Sequence, residues 1–161
     1  MIDQLLELLK GLPREWVILI LSAVPIVEVR GAVPLGFYFG LSPLKTYVLS
    51  VIGSALPIMP LLLFLKLFTS ELRKILFFDR FFGWLFARTR AKGKVVQELE
   101  TIGLLLFVAI PLPGTGVWTG CLAAYLFDLP LLNSFIAISV GTAVAAGIML
   151  LASVGVINFF L

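Results

Sequence analysis

The chain has 161 residues, 61% of them hydrophobic and 13% charged, with a mean hydropathy of +1.14. Soluble domains run about 45–50% apolar and about 25% charged, so this composition is that of an integral membrane protein of one compact unit. There is no histidine and a single cysteine, Cys121, and the net charge is only +3; a disulfide framework, a metal-ligand cluster, Ser/His or Cys/His catalysis and a nucleic-acid partner are excluded, and no cofactor is implied.

Residues 1–13 read as an interfacial amphipathic helix. Leu5, Leu8, Leu9 and Leu12 recur at helical spacing among Asp3, Glu7 and Lys10. Acidic residues precede the leucines, unlike a signal peptide. Gly11-Leu12-Pro13 ends this element. Trp16 to Val24 is apolar, but a crossing needs about 20 residues. The stretch from Ala23 to Gly36 then holds Pro25, Gly31 and Pro34 together with Glu28 and Arg30. One charge near the bilayer centre costs about 2.5–3.5 kcal/mol on insertion scales. Two such charges in an interrupted helix mark a candidate site, the alternative being a pair that only stabilises the fold. Leu35 to Leu41 completes a second arm. Two geometries fit residues 16–41: a re-entrant hairpin with its tip near Pro25–Pro34, or one broken crossing with the charges near its middle. Either needs cover from protein or a wet cavity.

Ser42-Pro43 is a turn and helix start. Leu44 to Lys66 is a full crossing, with small residues at Gly53 and Ser54 and expected kinks at Pro57 and Pro60. The chain then turns basic. Eight of its twelve cations lie from Lys66 to Lys94, so the 67–100 connector is expected in the cytoplasm. Arg73, Arg80 and Arg88 fall on one side of an aromatic-rich interfacial helix, followed by a run containing Arg88, Arg90, Lys92 and Lys94 that attracts anionic headgroups. A solvated connector that only fixes orientation is the alternative.

Gly103 to Ile110 is a further arm, broken at Pro111-Leu112-Pro113-Gly114-Thr115-Gly116 and followed by Val117-Trp118-Thr119-Gly120. Cys121 to Phe127 is the return arm, Asp128-Leu129-Pro130 a turn, and Leu131 to Ser153 a second crossing. Its small residues from Gly141 to Gly147 suggest tight helix packing, including between copies of the chain. Residues 154–161 form an apolar tail.

The two halves match in order. Ala23-Val24-Pro25 corresponds to Ala109-Ile110-Pro111, Ser42-Pro43-Leu44 to Leu129-Pro130-Leu131, and Gly53-Ser54-Ala55 to Gly141-Thr142-Ala143. The expected fold is therefore an all-α polytopic membrane protein with an internal repeat, residues 15–66 and 101–153. Each half is a broken or re-entrant helical hairpin plus one transmembrane helix. Re-entrant hairpins make the halves inverted, a recurring transporter plan; full crossings make them parallel. The short arms such as Trp16–Val24, with their proline- and glycine-rich breaks, favour the inverted plan.

Glu28-Val29-Arg30-Gly31-Ala32-Val33-Pro34-Leu35-Gly36 together with Pro111 to Gly120 resembles the small multidrug export protein family of prokaryotes, over essentially the whole chain. More distantly the plan is similar to the DedA/VTT superfamily, whose members are implicated in moving lipids, including polyprenyl-phosphate carriers. Those proteins carry acidic residues in one re-entrant element and arginines in the other. Here Glu28 and Arg30 share one element, and none of residues 102–126 is charged.

Chemically, Glu28 can take up and release a proton, and Arg30 suits a phosphate or carboxylate. Gly114, Thr115 and Gly116 offer backbone N–H groups, and Thr115 and Thr119 offer hydroxyls. The expected substrate site is thus Glu28, Arg30, Gly31, Pro34, Pro111, Pro113, Gly114, Thr115, Gly116, Trp118 and Thr119, the two tips meeting near the midplane. The expected function is translocation of an amphipathic anion such as a lipid phosphate, proton-coupled at Glu28. Export of lipophilic cations and a non-transporting scaffold are the alternatives, and an enzyme is not expected. The expected partners are membrane lipids and further copies of the chain in a prokaryotic inner membrane.

Overall fold

A computed structural model describes residues 11–72, 93–112 and 114–160. Residues 1–10, Arg73, Arg80, Arg88, Arg90, Lys92 and Pro113 lie outside the described residues. Among those described there are seven helices and no strand: α1 (Arg14–Ala23), α2 (Glu28–Tyr38), α3 (Pro43–Ala55), α4 (Ile58–Leu72), α5 (Gly93–Ala109), α6 (Val117–Leu126) and α7 (Leu131–Phe160). Lys94 falls in the first turn of α5.

Pro13 starts α1, its carbonyl accepting from the N–H groups of Trp16 and Val17 at 3.0 and 3.2 Å. The helix stops at Val24, which is extended (ψ 132°) because the ring of Pro25 disfavours helical geometry in the residue before it. Four residues later the chain is helical again. The interruption is shorter than the sequence suggests, because Gly31 and Pro34 lie inside α2. Helices of 10 and 11 residues measure about 15 and 16 Å, half the hydrocarbon thickness of about 30 Å.

These two helices form an antiparallel hairpin. Arg14 Nη1 donates to the Phe39 carbonyl at 2.6 Å, and Lys45 Nζ pairs with Glu15 Oε1 at 2.6 Å. Val17, Leu21 and Val27 are buried between the arms, with Leu35 and Phe39 against them. The hairpin base is thereby tied to the start of α3.

The turn after α2 reverses the chain through a left-handed residue, Gly40 (φ 74°). Leu41 N–H donates to Gly36 and Gly40 N–H to Phe37, at 3.0 and 2.9 Å, the paired bonds that satisfy a helix C-terminus. The turn after α6 is built alike: Leu129 donates to Ala124 and Asp128 to Tyr125, at 3.0 and 3.1 Å, and Asp128 is left-handed (φ 53°). Each position recurs 88 residues on: 36 as 124, 40 as 128, 41 as 129. The long helices repeat the match. Gly53 of α3 abuts the Leu19 carbonyl and Ser22 hydroxyl of α1, and Gly141 of α7 abuts the Leu105 carbonyl and Val108 of α5.

Two stretches, Pro43–Leu67 and Leu131–Gly155, are each 25 residues long with mean hydropathy 2.3, long enough to cross a bilayer. The first is interrupted at Leu56-Pro57, between α3 and α4, where Pro57 supplies no N–H to the ladder.

The chain packs as two compact units. One ends at Ser54 and takes in the chain from Ala146 onward; the other is Ala55–Ala145. The second unit has its own core of Ile58, Leu62, Leu104, Val108, Val117, Cys121, Ala124, Ala137 and Ile138. In the first, Gly147 lies 4.0 Å from the Tyr47 ring. Each unit thus holds one hairpin, the first part of its own long helix and the last part of the other half's.

The small residues of α7 do not face outward as an association surface. Gly141, Thr142, Ala145 and Ala146 are buried inside the chain. Its exposed stripe is branched and apolar instead: Leu132, Ile136, Val140, Val144, Ile148 and Leu151.

Candidate functional site

The interruption after α1 leaves backbone donors to satisfy. Val27 and Glu28 donate back to the Val24 carbonyl at 3.1 and 3.0 Å. Glu28 then opens α2 with a left-handed backbone, φ 44°. For a residue with a Cβ this costs about 1–2 kcal/mol. It also has a geometric use. Residues two apart on a regular helix do not face each other, yet Arg30 Nη1 reaches Glu28 Oε2 at 2.7 Å. The left-handed turn at Glu28 re-aims its carboxylate so that the pair closes. The N-terminal position adds the favourable end of the helix dipole.

The pair is buried. Glu28 has 6% of its surface exposed, and the Arg30 side chain, at 19%, is the more open of the two. Ionic hydrogen bonds of this length are among the stronger ones. Breaking a buried pair costs about 3–5 kcal/mol, because one charge is left behind. Gly31 belongs to the same corner: a Cβ there would lie 2.7 Å from Val27 Cγ1. Pro34 does not, since it lies on the exposed side of α2.

The second motif lies in the other unit. Thr115 Oγ1 donates to the carbonyls of Ile110 and Leu112 at 2.7 and 2.9 Å, and Thr119 Oγ1 reaches the Gly116 carbonyl at 3.4 Å. These hydroxyls shape the loop. Gly116 N-caps α6 in an extended conformation (φ 156°, ψ −166°) open only to glycine. Gly114 is exposed at φ 83°, and Pro111 is half-buried. Trp118 packs on the core of its unit. The arms of this hairpin also frame an apolar groove of about 340 Å³, lined by Gly103, Leu104, Phe107, Ala123 and Phe127 with Glu100 at one edge.

Two residues missed by the sequence reading stand out in the first unit. Thr46 and Ser50 of α3 are fully buried, and neither hydroxyl has a hydrogen-bond partner among the described residues. A buried hydroxyl without a partner costs about 1–3 kcal/mol. The spacing 46, 50, 54 in an apolar span was the available signal.

Among the described residues no group of three His, Cys, Asp or Glu side chains could hold a metal. Among the described residues the chain is all-helical, with two apolar stretches of bilayer length and an acid–base pair whose carboxylate is buried, the make-up of a membrane protein. The chain belongs to the family described as "Putative small multi-drug export protein", whose model matches residues 28–148. The match begins at Glu28 and takes in both motifs and both turns. No curated protein and no solved structure matches the chain.

Proposed function

We propose that this chain is an inner-membrane transporter of prokaryotes that moves an amphipathic anion, such as a lipid phosphate, past Arg30 with a proton on Glu28. One observation carries the reading. The carboxylate of the acid–base pair is buried in an apolar helical body, and its guanidinium partner is the more exposed member. That guanidinium is permanently charged, and its planar fork matches a phosphate or carboxylate. At rest the Glu28 carboxylate occupies the fork. A proton arriving at Glu28 neutralises it and frees the fork for an incoming anion. Both states are neutral overall, as a site of low dielectric favours. The hairpin enters the bilayer from one side, its arms being too short to cross. The basic connector, with Arg73, Arg80, Arg88, Arg90, Lys92 and Lys94, rests on anionic headgroups. Copies of the chain assemble through the exposed stripe of α7.

The test is headgroup movement in vesicles containing the purified protein, read by quenching a fluorescent phosphatidic acid from outside. Wild type accelerates movement, whereas folded Glu28→Gln and Arg30→Ala variants stay at the protein-free rate. Arg30→Lys, which keeps the charge and loses the fork, falls between. Wild-type rates in Arg30→Ala overturn the proposal. A second reading, export of lipophilic cations in exchange for protons, is favoured by the groove beside Glu100. It predicts growth protection against such cations that survives Arg30→Ala and fails with Glu28→Gln.

A further inference from the structure

Helix α3 buries Thr46, Ser50, Gly53 and Ser54 and exposes Leu44, Val48 and Ile52. A 13-residue apolar helix whose buried residues are all hydroxyls and glycine is built for something other than apolar packing. Positions 46, 50 and 54 share one face, and that face meets the first hairpin at both ends. Thr46 lies against Gly36 of α2. Ser54 Oγ donates to the Ser22 carbonyl at 2.7 Å, two residues before Val24, whose carbonyl accepts the Glu28 N–H. The row therefore runs from the α2–α3 turn to the hairpin tip that carries Glu28.

The other half supplies an internal control. Ser134, equivalent to Thr46, donates to the Pro130 carbonyl at 2.9 Å, and Thr142, equivalent to Ser54, donates to Ile138 at 2.7 Å. The position between them is Ile138. Hydroxyls in apolar helices ordinarily bond the preceding turn in this way. Thr46 and Ser50 do not, although both are fully buried. Among the described residues, the positions equivalent to Thr46 and Ser50 are thus a bonded serine and an isoleucine; the second half's partnerless hydroxyl, Ser139, belongs to a half-buried residue outside the 134, 138, 142 row.

We infer that Thr46 and Ser50 hold water along the inward face of α3 and that this row carries protons to and from the Glu28 carboxylate. The inference rests on the transporter reading of Glu28. Each hydroxyl or water accepts one proton and passes on its own, so none changes charge, and the last proton converts the carboxylate to the neutral acid. The charged groups of the packed elements are few. Arg30 holds Glu28 directly, while Arg14, Glu15 and Lys45 are engaged at the hairpin base. The last part of α7, residues 146–160, has none.

The experiment is time-resolved infrared spectroscopy of the protein in nanodiscs after a pH jump, following the protonated carboxyl band assigned to Glu28 by its shift in Glu28→Asp. Thr46→Val/Ser50→Ala slows the appearance of the band about tenfold, the loss of roughly one hydrogen bond's worth of barrier stabilisation. Ser50→Thr, which keeps a hydroxyl, retains the wild-type rate, as does Ser134→Ala/Thr142→Val. Thermal midpoints supply an independent sign. Removing a hydroxyl that merely lacks a partner raises the midpoint, while removing one that holds water lowers it. An unchanged rate, a raised midpoint in the row variant, or no Glu28-dependent band overturns the inference. Transport lost in Glu28→Gln with an unchanged rate in the row variant sinks the row alone. Transport retained in Glu28→Gln sinks the transporter reading itself.

Discussion

Glu28 and Arg30 are chemically unequal partners. A buried carboxylate left alone can take a proton and become neutral, whereas a guanidinium cannot give one up. Glu28→Gln therefore strands a permanent charge and is expected to cost about 3–5 kcal/mol. Arg30→Met leaves an acid that protonates, and costs less. The double variant costs well under the sum of the singles, because no charge remains to be stranded. A double-mutant cycle in detergent, read by thermal unfolding, checks all three, and additive losses sink the coupling. The exposed pair at the hairpin base behaves differently. The Glu15 carboxyl is held below its ordinary value, first by the hydrogen bond from Lys45. A depressed acid stabilises the fold above its unfolded pKa, and that stabilisation is lost as pH falls through the folded one. The stability gap between wild type and Lys45→Met is thus present at neutral pH. It closes below the ordinary carboxyl value of 4.5 and narrows with added salt.

Between residue and molecule, the repeated element is a hairpin clasped by a long helix, and two glycines set the closeness of the clasp. A Cβ at Gly53 meets the Leu19 carbonyl and Ser22, and one at Gly141 lies 2.7 Å from the Leu105 carbonyl. Backbone cannot yield as a side-chain tip can. Gly53→Ala and Gly141→Ala should each cost about 1–3 kcal/mol, the range of overpacked cores. Gly103 and Gly155 have open space at the same position, so Ala there should gain about 0.4–1 kcal/mol through the unfolded chain. Equal thermal shifts in all four variants refute the clasp. Much of this element is legible in the sequence: proline breaks act locally, and Gly53 and Gly141 stand in matched strings. The extent of α2 is not, because Gly31 and Pro34 look like breakers and are helical only through tertiary packing, which overrides propensity. Nor is the use of the α7 small residues. Composition marks a close contact without saying whether the neighbour is the same chain. The inward row on α3 is hidden for a third reason, since serine and threonine in apolar helices usually spend their hydroxyls on their own backbone.

At the scale of the whole chain, the two halves share a plan but differ in their polar residues. Both keep the hairpin, the left-handed turn and the glycine clasp, while among the described residues the Glu28–Arg30 pair and the fully buried partnerless row of Thr46 and Ser50 belong to the first half. Length constrains how such a chain meets a bilayer. Arg14 bonds Phe39 at 2.6 Å, so the ends of the first hairpin share one depth, and its arms of about 15 Å reach only partway through hydrocarbon about 30 Å thick. In the proposed plan the α3–α4 stretch crosses once, and the basic connector, residues 67–100, is expected on the cytoplasmic side. Helix α6, of 10 residues, is likewise too short to cross, so the turn at Asp128–Pro130 is expected on the cytoplasmic side and Gly155 on the far side. Were each half two full crossings, Leu129 would face outward and Gly155 the cytoplasm. Single cysteines at Ser42, Leu129 and Gly155, in a Cys121→Ala background, separate the plans when an impermeant maleimide is added to intact cells. Ser42 and Gly155 should label, and Leu129 only after the membrane is opened. Labelling of Leu129 from outside would mean that the arms span the bilayer after all, and would take Glu28 away from the mid-depth position on which proton-coupled transport depends.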